Sequence, residues 1–250
     1  MKRVMMTMAL FLGWLTMAPP MSYGAGGGSA PAVTPASPKV GTGMPLYNPP
    51  KRGMPGGRLG GGTRSADHQV TLLSVLAPDH TGLTGQEQPV LYWYLSKVTS
   101  HPIYFTVVDT DSTKTVLDVK LPAPSRPGIQ AIRVSDHGMR LSPGVQYQWF
   151  VALMLDGEHR SKDIIAGGMI ERTSLPQDLS SKLAGVGRAQ RTAMYAEAGF
   201  WYDAVESISE EISAVPNDAA LRKQRASLLE QVGLPDIAAY DLSGGAGERS

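Results

Sequence analysis

The 250 residues carry 23 Lys/Arg against 22 Asp/Glu and no cysteine. Balanced charge argues against a nucleic-acid partner. The missing thiols exclude disulfides, thiolate catalysis and cysteine-based zinc sites together. A chain of this length without crosslinks must be held by one or two apolar cores.

The chain opens Met-Lys-Arg and then runs uncharged from Val4 to Ala18, "VMMTMALFLGWLTMA". A basic start before an apolar stretch shorter than the ~20 residues of a membrane span predicts a signal peptide, here residues 1–25. The mature protein is therefore expected in the periplasm or secreted, touching the membrane only if the signal remains as an uncleaved anchor. A lipid-anchored form would need a cysteine to acylate. Residues 26–47, rich in Gly, Pro and Ala, predict a disordered tether.

Residues 48–66 form a basic glycine-rich arm, "NPPKRGMPGGRLGGGTRSA". Between residues 26 and 66 stand Lys39, Lys51, Arg52, Arg58 and Arg64 with no acid, whereas residues 67–250 hold more acids than bases. Gly57 and Gly62 have the separation of a phosphate-binding loop. However, Thr63 stands where that loop needs lysine, and the next element is a strand. Two readings stay open: an anion nest of backbone amides beside the arginines, or an extended strap whose Arg58 or Arg64 pairs with acids of the body. Glycine permits the dihedrals such a strap requires, and the strap is favoured.

Residues 67–173 contain seven short apolar runs between turn signals. Leu91, Trp93 and Leu95 alternate in one, and Val145, Tyr147, Trp149, Val151, Leu153 and Leu155 in the longest. Period two with branched and aromatic residues predicts half-buried strands, and seven without helices between them predict a two-sheet sandwich. Trp93 is expected in the core, with Tyr92 and Tyr94 facing outward. "LSPGVQY", Leu141–Tyr147, resembles the tyrosine corner of fibronectin type III and other immunoglobulin-like modules. "DGEHRS", Asp156–Ser161, is expected to join the last two strands.

Residues 174–242 change to helical period. Ser174–Gln177 has capping-box spacing with proline in the first turn. Trp201, Val205, Ile208 and Ile212 form a stripe ended by Pro216. Asn217 or Asp218 then caps a helix carrying Leu221, Leu228, Leu229 and Val232. Gly199 and Gly233 are 34 residues apart, as are Ala204 and Ala238, which is the period of tetratricopeptide repeats. Such repeats need about three units to stand alone, so this hairpin is expected to pack on the sandwich through Phe200, Trp201 or Tyr202. Residues 243–250 are expected to be a flexible tail. The fold class is thus mainly β with C-terminal α: an immunoglobulin/fibronectin-III-like β-sandwich followed by a tetratricopeptide-like helical hairpin.

Reactive constellations are scarce. Four of five histidines follow an acid, as in Asp79-His80, but neighbours in extended chain point apart. Neither the His-Glu-x-x-His metal motif nor the Gly-x-Ser-x-Gly nucleophile elbow occurs. Asp109/Asp111 and Glu210/Glu211 read as solvated charge. No catalytic residue, cofactor or metal is expected.

Taken in order, "NPPKRGMPGGRLGGGTR", "LYWYL", "LSPGVQYQWFVALML", "MIERT" and "AMYAEAGFWYDAV" resemble the bacterial family known as domain of unknown function 928. The resemblance implies an exported protein and supplies no activity, cofactor or catalytic residue. It also implies cysteines just after the arm and near the end of the long strand, regions where this chain has Ser65-Ala66 and Met154-Leu155.

The sequence therefore predicts an exported noncatalytic interaction or structural module of the cell envelope. Its partner is expected to be an envelope or secreted protein, with no nucleic acid. The expected contact residues are Arg52, Arg58 and Arg64 on the arm and Trp201, Tyr202 and Asp203 on an exposed helix. The alternatives are an envelope hydrolase acting on glycans or peptides, or an anion or small-ligand binder centred on the arm.

Overall fold

Alternation in Gln146–Leu153 places Tyr147, Trp149, Val151 and Leu153 on one buried face, and this strand lies at the centre of the larger sheet. The computed structural model describes residues 43–50, 57–62 and 71–244. Within them the strands are β1 (Gly61–Gly62), β2 (Leu72–Val75), β3 (Gly82–Thr84), β4 (Val90–Leu95), β5 (Ile103–Asp109), β6 (Lys114–Leu121), β7 (Gly128–Arg133), β8 (Gln146–Leu153) and β9 (Ile164–Arg172). All seven apolar runs read from the sequence are strands; the short β1 and β3 are additional.

The strands form two sheets, ordered β1-β2-β4-β7 and β3-β9-β8-β5-β6. Pairing is antiparallel except between β3 and β9, so the larger sheet is mixed. Leu91 and Trp93 from β4, Ile132 from β7, Phe105 from β5 and Trp149 from β8 belong to one core shared by both sheets. Ser142 N–H donates to the Tyr147 hydroxyl at 3.2 Å, fixing the turn that enters β8. The edge strand β6 is mostly exposed and carries Lys114, Asp118 and Lys120, charges that discourage pairing with another chain.

Five helices follow: α1 (Gln177–Ala184), α2 (Arg188–Glu197), α3 (Trp201–Ala214), α4 (Ala219–Gln231) and α5 (Pro235–Leu242). The predicted capping box does not form. Pro176 occupies the N-cap of α1, one residue before Gln177, and no side chain caps that end. Asp218 does cap α4, accepting from Ala220 and Leu221 N–H at 2.8 and 3.3 Å. Gly199 and Gly233 have φ of +83° and +72°, a region that favours glycine, and each links two helices that pack as a hairpin.

The helices cover the outer face of the smaller sheet. Every residue of β4 is consequently buried, including Tyr92 and Tyr94, which face away from the sandwich core as expected but into helices instead of solvent. Tyr94 meets Tyr240 of α5 edge-on, with ring centroids 5.0 Å apart. Behind α3, a buried Arg225–Asp241 pair joins α4 to α5 through bonds of 2.7 and 2.6 Å. Leu179, Leu183 and Phe200 form a smaller apolar cluster between α1 and the start of α3.

Residues 43–50 correct the expectation of a tether reaching residue 47. Tyr47 is buried, its N–H donates to Gln231 Oε1 at 2.8 Å, and Asn48 N–H donates to the Ala196 carbonyl at 3.1 Å. An aromatic ring with a place to bury and a backbone with donors to satisfy orders this segment despite its composition.

Candidate functional site

The first turn of α3 aims three consecutive side chains into the protein. The Trp201 indole N–H donates to the Leu76 carbonyl at 2.9 Å. The Tyr202 hydroxyl accepts from Trp149 Nε1 and donates to the Met169 carbonyl, each at 2.9 Å. Asp203 Oδ2 accepts from Gly85 N–H at 3.0 Å. Their exposures of 0, 2 and 2 % overturn the expectation of an exposed contact surface. The apolar stripe turns Trp201 inward, and the flanks that hold Tyr202 and Asp203 are covered as well, by β3 and the chain after it. Gly82 leaves room for the Tyr202 ring, since a Cβ there would stand 2.7 Å from Cε2.

Residues 57–62 of the arm behave as a strap. Leu59 exchanges backbone hydrogen bonds with Gly167 of β9 at 2.8 and 3.0 Å, while β1 pairs with β2, so residues 57–62 touch both sheets. Arg58 Nη1 donates to the Ala77 and Val232 carbonyls at 3.0 and 2.7 Å, and Nη2 to the Gly233 carbonyl at 3.1 Å. One guanidinium thus fastens the end of α4 to the chain after β2. Its partners are carbonyls, not the acids the sequence suggested. Arg52 and Arg64 lie outside the described residues.

Asp79 and His80 do meet, because the chain bends there: His80 Nδ1 lies 3.3 Å from Asp79 Oδ1, and Nε2 lies 2.9 Å from the Tyr47 hydroxyl. Burial, and then the Asp79 charge, raise the Tyr47 hydroxyl well above the usual phenol range. The contact with His80 fastens Tyr47, and with it residues 43–50, to the chain after β2.

A polar cavity of about 250 Å³ lies between α2 and α3. Arg188, Arg191 and Tyr195 line it from α2, and Asp203, Glu206 and Glu210 from α3, each set at i, i+3 and i+7. Thr192 and Ser207 hydroxyls join the two helices at 3.1 Å. Glu206 Oε2 accepts from Gln86 Nε2 at 2.9 Å and from Val90 N–H at 3.3 Å. Burial pushes the Asp203 carboxyl up to about 6, with the Gly85 N–H pulling it back. Burial also pushes Glu206 up to about 7, opposed by the Val90 N–H and assisted by the charges of Asp203 and Glu210. Glu210 is exposed at the rim of this cavity, as its reading as solvated charge expected, whereas Glu211 beside it is buried. The matched spacing of charges on two successive helices was the available signal; that those faces oppose each other depends on how the helices pack. Among the described residues, no group of three or more His, Asp or Glu could hold a metal ion.

Two sheets with helices fastened over one of them by buried rings and a strap define a mainly β protein with C-terminal helices. Residues 59–242 match the family described as Domain of Unknown Function (DUF928), and the chain belongs to that family. No curated protein matches it. Among solved structures, the chain is similar to a multi-domain immunophilin from Arabidopsis thaliana at 9 % identity, over 66 % of this chain and 98 % of that one. The TM-score of 0.17 is too low for that likeness to inform fold or function.

Proposed function

We propose that the protein is an exported noncatalytic module of the cell envelope that works by contact with another envelope or secreted protein. The observation that carries this reading is the use of its most distinctive polar and aromatic groups. Arg58, Trp201 and Tyr202 all hold helices against sheets, which is the work of a scaffold and not of a reaction centre.

The architecture supports an immunoglobulin/fibronectin-III-like body. Strands β2, β4 and β7 oppose β9, β8, β5 and β6 in the order of such sandwiches, and Tyr147 bonds back to Ser142 as a tyrosine corner does. The two helical hairpins, with left-handed glycines 34 residues apart, support a tetratricopeptide-like pair of units. Both fold types serve recognition in many proteins.

The larger sheet keeps an accessible outer face, with Ile165 44 % exposed and Val116 40 %. A photo-crosslinker at Ile165, in the cells that make the protein, is expected to capture one discrete envelope or secreted protein. The same crosslinker at Lys223 on α4 is expected not to capture it. Equal capture from both positions, capture from neither, or hydrolysis of envelope glycans or peptides by the pure protein would contradict the reading.

A further inference from the structure

We propose that the free edge of β7 receives an extended acidic segment of another protein, which pairs with it as an additional strand. This surface belongs to the smaller sheet, apart from the accessible face around Ile165, and does not depend on what binds that face. Register identifies the open backbone groups. Val134 N–H donates to the Pro89 carbonyl at 3.2 Å, and Val90 stands opposite Arg133. The hydrogen-bonded pairs of β4 and β7 are therefore Leu91–Ile132, Trp93–Gln130 and Leu95–Gly128, since such pairs alternate with wide ones. Ile129 and Ala131 turn their N–H and C=O groups away from β4, to the side where no strand follows. Among the described residues, no hydrogen bond reaches these two residues from that side.

The other edges are managed. Residues 57–62 pair with both β2 and β9 and so close one side of the sandwich. On the opposite side, β6 carries three charges, and its register with β5 shifts between Val107 and Val108. β7 has neither protection: Gly128–Ile132 is uncharged, and its pairing with β4 runs without interruption. A strand edge left in this state is a template for an incoming strand.

The groove beside this edge sets the chemistry of the partner. Ala131 and Ile129 stand opposite Tyr92 and Tyr94, so their side chains share the face turned toward the helices. Between that face and α3, α4 and α5 lies a cavity of about 520 Å³. Every second side chain of an added strand would point into it. Among the described residues lining it, Arg126, Arg222 and Arg225 are the cations and Asp241 is the one acid. Asp241 is bonded to both Arg222 and Arg225. Arg126 is exposed and forms no ion pair among the described residues. This excess of positive charge favours an acidic side chain in the groove, and it opposes a second copy of the chain, which would bring a second set of arginines.

Fluorescence anisotropy of a labelled peptide, Thr-Val-Glu-Val-Thr-Val-Glu-Thr, titrated with the full chain tests the proposal. Saturable binding is expected with Kd below about 1 mM. Two control peptides, one with lysine for both glutamates and one with alternate amides N-methylated, are expected to bind at least about tenfold more weakly. Proline is tolerated where an edge N–H faces solvent. Ala131→Pro is therefore expected to keep a cooperative thermal transition and to weaken the peptide about tenfold or more. Arg126→Glu, at an exposed position, is expected to weaken the acidic peptide and strengthen the lysine one, and it carries the test if Ala131→Pro does not fold. No saturable binding up to about 1 mM, equal binding of either control, or full affinity in the folded variants would overturn it. A dimer of the protein that Ala131→Pro dissociates would overturn it too, because a second copy would then cover the edge.

Discussion

Trp149 Nε1–H donates to the Tyr202 hydroxyl across 2.9 Å, which ties the middle of β8 to the first turn of α3. The same hydroxyl donates to the Met169 carbonyl, so one oxygen connects two strands and a helix. Tyr202→Phe would retain the ring and leave an indole donor and a carbonyl unpaired in a buried place. The expected loss is about 1–3 kcal/mol, measured by denaturant titration. A neutral result would mean that this connection is dispensable.

Arg58 joins elements that are far apart in sequence: Ala77 after β2 and Val232–Gly233 at the end of α4. Arg58→Ala is expected to cost about 1–3 kcal/mol and to speed hydrogen exchange at the junction of α4 and α5. Arg58→Lys is expected to recover only part of this, because an ammonium cannot reproduce the planar fork that spans three carbonyls.

Gly199 and Gly233 have the same left-handed conformation but different surroundings. A Cβ on Gly199 would come within 2.9 Å of the Asn48 carbonyl, whereas on Gly233 the nearest atom is the flexible Arg58 Nη2 at 3.6 Å. Gly233→Ala is expected to cost about 1 kcal/mol from backbone conformation alone. Gly199→Ala should cost more and should also loosen residues 43–50, seen as faster proteolysis there.

Asp203 and Glu206 make stability depend on pH. Both carboxyls titrate higher in the folded protein, at about 6 and about 7, than their ordinary values of 3.8 and 4.5. Between those ordinary values and the raised ones, the folded state binds more protons than the unfolded state. Stability therefore falls as pH rises from about 4 to about 7. Glu210 on α3 and Arg188 and Arg191 on α2 line the same cavity. The thermal midpoint is expected to be higher at pH 5 than at pH 8, with the slope reduced in Glu206→Gln.

Much of this architecture was legible from local pattern. Alternation in β8 fixed the inward face of Tyr147, Trp149, Val151 and Leu153, and the stripe from Trp201 to Ile212 fixed the buried face of α3. What escaped depends on contacts between distant segments. β3 has only three residues, and its pairing comes from β9. Tyr92 and Tyr94 alternate as surface residues would, and become buried only because helices more than a hundred residues later cover them. Asp203 is polar and sits beside an apolar stripe, so its burial follows from the Gly85 N–H waiting for it. The wall formed by α2 and α3 was written in the spacing of Arg188, Arg191, Asp203, Glu206 and Glu210, but spacing alone does not say which faces meet.

The helices and sheets are expected to fold as one unit, since two hairpins are too few to persist without the sheet beneath them. Equilibrium unfolding followed by far-ultraviolet circular dichroism for the helices and tryptophan fluorescence for the core measures this directly. The prediction is a single coincident transition that Tyr202→Phe shifts in both signals equally. Helical signal lost at a separate midpoint, with the tryptophan core still intact, would contradict it.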